Sequence, residues 1–254
     1  MHPESLAAAQ CVEQHRFDWR PEAVHTLLLA ESHLLTPDCE LKAMRGTPPV
    51  TGRSLNSTFA RFVYCLGYGE GEFAGPLLPS TAGTPQFWKL FASCVGSPAA
   101  STFAPLLKSR NPSFASRLRA KVSVLEQMLM LGVWLVDASP IALCSPGGSR
   151  LHQSDYRRVL MCSWRNYVAT LIRDAKPHSI VVIGKGVAQA LHDELSSLAN
   201  VEVHVVHQPQ GCRTPEALHE VHATLHRVCQ AASRARGATA YRRLRLSPDE
   251  GALA

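Results

Sequence analysis

The chain has 254 residues, of which 46% are hydrophobic and 18% charged, which is enough for one large α/β domain or two small ones. No run approaches the roughly 18–20 apolar residues of a membrane span, and Met1-His2-Pro3-Glu4-Ser5 lacks the basic start and apolar core of a signal peptide, so a cytoplasmic protein with no membrane association is expected. The balance of 26 Lys and Arg against 20 Asp and Glu, a net +6, suits a polyanionic partner.

Residues 4–16 read as a short amphipathic helix, with Leu6, Cys11 and Val12 on its apolar side. Thr26 to Ala30 follows as a strand. Its continuous Leu27-Leu28-Leu29 run suits a strand covered on both faces, and it stops at Glu31-Ser32-His33. A long loop, 34–54, carries Pro37, Pro48, Pro49, Gly46 and Gly52. Asn56 to Leu66 is predicted as a helix, with Phe59, Phe62 and Val63 at helical spacing and Gly67 and Gly69 ending it. Residues 70–84 read as loop and Gln86 to Cys94 as a helix. Ser113 enters a further helix that carries on through Val122 to Met130.

Gly132 to Asp137 is the second central strand, apolar until its closing carboxylate. Ala138-Ser139-Pro140 makes a turn, and Leu143 to Ser149 is loop. Tyr156 to Lys176 is a long helix with Val159, Leu160, Trp164, Val168 and Ile172 on one face. Ser179 to Gly184 is a third strand and Lys185 to Leu198 the helix after it. Val201 to Val206 is a fourth strand, ending in His207-Gln208-Pro209-Gln210-Gly211. Residues 214–233 form a last helix. A flexible basic tail, 234–254, carries Arg234, Arg236, Arg242, Arg243 and Arg245 and suits either solvation or contact with a DNA backbone. Strands alternating with helices predict one α/β domain over residues 1–233. Its mainly parallel four-stranded sheet would be flanked by helices on both faces.

Three strands end in ionisable groups: Glu31, Asp137 and His207. Ligands in open α/β sheets bind outside the carboxyl ends of strands, so these groups would share one pocket rim. Two carboxylates and an imidazole there can do acid–base or electrostatic work. None of the eight cysteines forms a Cys-x-x-Cys pair, which speaks against a zinc ribbon, and no spacing supports an iron–sulfur cluster. Neither a Gly-x-Gly-x-x-Gly nor a phosphate-binding Gly-x-x-x-x-Gly-Lys-Ser/Thr is present, which argues against a nucleotide-dependent α/β enzyme.

Taken in order over most of residues 24–215, the chain resembles the uracil-DNA glycosylase superfamily. Leu27-Leu28-Leu29-Ala30-Glu31-Ser32-His33 resembles the strand and water-activating motif that reads Gly-Glu-Ala-Pro or Gly-Gln-Asp-Pro in known classes. Gly52-Arg53-Ser54-Leu55 resembles a Gly-Arg-Pro-Phe segment, and Gly132 to Asp137 the strand whose terminal Asn reads the base. Ile180 to Leu191 resembles the strand and helix with Gly and Ala near the turn. His207-Gln208-Pro209-Gln210 resembles the His-Pro-Ser or His-Pro-Ala loop. The departures define a divergent class. Ala30 replaces Gly, His33 stands where Pro is usual, Leu55 where an aromatic stacks on the base, and Asp137 where Asn reads it. Pro209 comes one residue late.

The resemblance implies a three-layer sandwich and a DNA-repair enzyme. It would flip uracil out of DNA, single or double stranded, hydrolyse its N-glycosidic bond and leave an abasic site. Glu31 would orient water and stabilise the oxocarbenium-like sugar, and His207 would bond the base oxygen where charge develops. Ser32 and His33 would offer backbone N–H groups to a base carbonyl, with Leu55 and Asp137 completing the base pocket. Gln208 and Gln210 would contact DNA, and Arg213 would plug the vacated stack or hold a phosphate. No metal or cofactor is implied, and a monomer is expected. A protonated Asp137 would restore the Asn hydrogen-bond pattern, whereas an ionised one only accepts, which suits the N3–H of uracil but repels its O4 and favours a base with an amino group. Two alternatives share the fold. One is a relative that binds, or traps covalently through a group such as His33, uracil or abasic DNA. The other is a glycosylase for another deaminated base.

Overall fold

The computed structural model describes residues 4–44, 54–74, 85–143 and 152–245, with side chains described up to residue 231. Helix α1, Leu6–Asp18, opens on Ser5, whose hydroxyl accepts from the Ala8 N–H. Strand β1, Thr26–Ala30, is buried at every residue. The short α2, Gly71–Ala74, lies within the expected 70–84 loop. Helix α3, Pro85–Val95, is followed by α4, Ala100–Phe103, and by α5, Phe114–Leu131, which Ser113 caps. Strand β2, Val133–Asp137, follows at once. The turn between them needs Gly132: at φ +69° an added β-carbon would sit 2.5 Å from the His25 ring and 2.6 Å from the Ala23 carbonyl.

Helix α6, Gln153–Ser163, runs through a π-helical turn at Trp164–Val168 into α7, Ala169–Ala175, so the expected long helix is continuous but underwound in the middle. Strand β3, Ser179–Ile183, leads to α8, Lys185–Ala190, and α9, His192–Ser196, a helix pair broken at Leu191 where one helix was expected. Strand β4, Glu202–Val206, precedes α10, Pro215–Arg245. The basic segment expected to be a flexible tail therefore begins as helix, and residues 246–254 lie outside the described residues.

All four strands pair in parallel, in the order β2-β1-β3-β4. The first three are buried throughout, as parallel strands covered on both faces must be, while β4 is the exposed edge. Helices α3, α5 and α10 pack together, with α5 on β2 and α10 on β1 and β3. Helix α8 packs on β3 and β4 and against α6, on the other face, as right-handed crossovers require. The molecule is a single-domain, three-layer α/β sandwich. Among the described residues no helix is long and apolar enough to cross a membrane.

One predicted element is absent. Asn56 to Leu66 is a chain of turns, not a helix. Phe59, Ala60 and all of residues 62–66 are buried and only Ser57 is exposed, which leaves too little solvent face for a surface helix. Its backbone bonds elsewhere: Phe59 N–H to the Lys42 carbonyl at 2.8 Å, and Arg61 N–H to the Thr36 hydroxyl at 2.9 Å. The Tyr64 hydroxyl accepts the outer N–H of Leu135 at 2.9 Å, covering the free edge of β2. Of the expected 34–54 loop, residues 34–44 contain a single 3-10 turn at Asp38–Glu40, and 45–53 lie outside the described residues. The expected Leu143 to Ser149 loop is likewise described only at Leu143.

Candidate active site

The carboxyl ends of β1 and β2 are locked in register, Ala30 opposite Asp137. The bonds continue past the strands, with Ala138 N–H to the Ala30 carbonyl at 2.7 Å and Ser139 N–H to the Glu31 carbonyl at 3.1 Å. This brings Glu31, Ser32 and His33 against Asp137. At the other side, Gly184 N–H bonds the Val206 carbonyl at 2.8 Å and sets the loops after β3 and β4 side by side. Two hollows open at this edge. A small cavity of about 300 Å³ is lined by Glu31, His33, Phe62, Phe87, Asp137 and Gln210, among others. A larger cleft of about 940 Å³ is bounded by Glu31, Tyr156, Arg157, Lys185, His207 and Gln208. Glu31 and Gln208 line both and form the wall between them.

The floor of the small cavity is a buried charge network. Asp137 Oδ2 accepts from Arg16 Nη2 at 2.9 Å and lies 3.3 Å from His33 Nδ1. The other ring nitrogen of His33 lies 2.9 Å from Glu4 Oε2. An imidazole with a carboxylate at each nitrogen must donate from both, so it is an imidazolium. Burial opposes that charge, but the bonds to Asp137 and Glu4 outweigh it and push the His33 pKa up to about 9. Burial likewise favours a neutral Asp137, yet the Arg16 charge and the His33 bond hold its carboxyl below the usual range. Asp137 is therefore an ionised, acceptor-only group. Of the two protonation states open from the sequence, the ionised one is favoured, because two cations that the sequence did not reveal stand beside the carboxylate. The fully donating ring of His33 has no free lone pair with which to trap a sugar.

Arg16 extends the network. Its Nε bonds Glu13 at 3.0 Å, its guanidinium lies 4.8 Å from the Phe62 ring centre, and Tyr167 donates to Glu13 at 2.6 Å. The Glu4 carboxylate also accepts from the Ala142 N–H at 2.9 Å. Glu4 and Arg16 were not singled out from sequence. They stand 29 and 121 positions from their partners, and nothing in local spacing marks such pairs.

The remaining expected site residues divide as follows. Ser32 bonds the His33 carbonyl and accepts from the Leu143 N–H, so its side chain ties loops together at the cavity rim. Leu55 packs on the core and lines neither hollow; Phe62 and Phe87 supply the aromatic wall there instead. His207 is half-buried and lines the larger cleft, not the small cavity. Gln208, expected at a DNA surface, turns inward and donates to Glu31 Oε2 at 2.8 Å. Gln210 is exposed at the cavity mouth, and exposed Arg213 lines neither hollow. Among the described residues no group of three or more His, Cys, Asp or Glu side chains could hold a metal ion. No protein-family model matches this chain, and no curated protein matches it.

Proposed function

We propose that the protein is a DNA glycosylase that hydrolyses the N-glycosidic bond of uracil and leaves an abasic site. The observation that carries this reading is the small cavity at the sheet edge, with Glu31 at its boundary and ionised Asp137 in its wall. A flipped base would enter the small cavity against Phe62 and Phe87 and donate its N3–H to Asp137. The amides of Gln86 and Gln210 are donors for its carbonyl oxygens.

The sugar and flanking phosphates would then lie in the larger cleft, beside Lys185, Arg157 and His207, with the scissile bond at the Glu31 wall. As the C1′–N bond breaks, its electron pair leaves with the base and the sugar becomes oxocarbenium-like. Glu31 stabilises that cation and takes a proton from the water that adds to C1′. In this arrangement His207 acts on the sugar–phosphate side, not on the base. These steps require only side chains and water, and we place them in a cytoplasmic monomer.

The test is excision on a labelled oligonucleotide carrying one uracil, followed by alkaline cleavage, with wild type and Glu31→Ala. Cleavage by the wild type and its loss in the variant is the expected result. Retardation of the uracil strand without cleavage would make the protein a binding module instead. Neither cleavage nor preference for uracil would overturn the uracil reading.

A further inference from the structure

We propose that Gln208 is a positioning residue for Glu31, fixing the carboxylate at the wall between the two hollows; this rests on the reading of Glu31 as the catalytic carboxylate. Gln208 Nε2 donates to Glu31 Oε2 at 2.8 Å. The bond engages one carboxylate oxygen, and among the described residues no side chain bonds the other. A neutral amide orients a carboxylate without cancelling its charge, whereas an arginine in that place would neutralise the group that must face a cationic sugar and accept a proton.

Gln208 is held at its backbone as well as its side chain. Its backbone carbonyl accepts from Gly211 N–H at 2.8 Å, within the 3-10 turn Pro209–Gly211 whose Pro209 is buried. Its side chain lies across Gly184. A β-carbon there would stand 3.2 Å from Gln208 Cγ and 3.5 Å from Cδ and Nε2, so a larger residue would press on the stem of this side chain. Gly184 also adopts φ +118°, a conformation that residues with side chains rarely take. The loops after β3 and β4 are thus shaped around one side chain whose polar end reaches β1. A contact serving only stability does not need a carboxylate at the shared boundary of two hollows.

The test is steady-state uracil excision over a range of substrate concentrations by wild type, Gln208→Met, Glu31→Gln and the double variant, with a thermal melt of each. Methionine keeps the length and the packing over Gly184 but cannot donate. Loss of one hydrogen bond to a charged group lowers kcat about 10- to 100-fold in Gln208→Met, with KM within about twofold of wild type and an unchanged melt. Placed on Glu31→Gln, the same change has little further effect, because the carboxylate it served is gone. Wild-type kcat in Gln208→Met, a loss confined to KM, or full additivity in the double variant overturns the proposal. Absence of excision by wild type, or full activity in Glu31→Gln, instead overturns the reading on which it rests.

Discussion

The charge network beneath the small cavity makes a quantitative prediction for Arg16→Met. The substitution removes one partner of Asp137 while keeping much of the apolar stem that packs near Phe62. Both members of the pair are almost fully covered, Arg16 at 1% and Asp137 at 3% exposure. Breaking a buried pair by removing one partner costs about 3–5 kcal/mol, because the remaining charge is left uncompensated. His33 still faces Asp137 at 3.3 Å, so the lower end, about 3 kcal/mol, is expected. For a chain of this size that corresponds to a fall in Tm of roughly 6–12 °C. Urea unfolding at pH 7, followed by tryptophan fluorescence, measures it. The double variant Arg16→Met/Asp137→Leu should recover at least half of the loss, since the orphaned Asp137 carboxylate is gone and Glu13 keeps its bond from Tyr167. A loss below about 1 kcal/mol in the single variant, or strict additivity in the double, would refute the claim that Arg16 holds Asp137 ionised.

Three further outcomes are expected. His33 has a folded pKa raised to about 9 against roughly 6.5 when unfolded, so its contribution is fully present below pH ~6.5 and is lost as pH rises through ~9. In denaturant titrations between pH 7 and 9, His33→Gln should show a shallower fall in stability than wild type; an identical slope would mean that His33 is not the imidazolium described. Gly132→Ala should destabilise by about 2 kcal/mol or more, since it combines a left-handed backbone with contact to the Ala23 carbonyl, and a change below about 0.5 kcal/mol in urea melts would contradict that geometry. Lys185→Ala and Arg157→Ala should each weaken binding of uracil DNA and lower the slope of log K against log salt by about 1, measured by fluorescence anisotropy; an unchanged slope would place the phosphates elsewhere.

Much of the architecture was legible from local pattern. Leu27 to Leu29, Val133 to Val136 and Ile180 to Ile183 are unbroken apolar runs. Such runs, alternating with helical periods, leave little choice but buried parallel strands. The same reading placed Glu31, Asp137 and His207 at one sheet edge, because every parallel strand ends on the same side. Periodicity misled at Asn56 to Leu66. Phe59, Phe62 and Val63 have helical spacing, but the segment is buried from several sides and its N–H groups bond to the Thr36–Met44 stretch.

The chemistry of the edge lay further still beyond the sequence. Whether Asp137 is neutral or charged depends on Arg16, 121 positions away, and on His33, itself fixed by Glu4. Gln208 reads in sequence as part of a surface loop, yet the space above Gly184 turns it toward Glu31, 177 positions away. Strand positions and strand ends follow from local apolar pattern, which the chain carries within a few residues, whereas the order β2-β1-β3-β4 does not. Protonation and orientation follow from which distant charges and amides the fold brings within about 3 Å, and only the tertiary structure decides that.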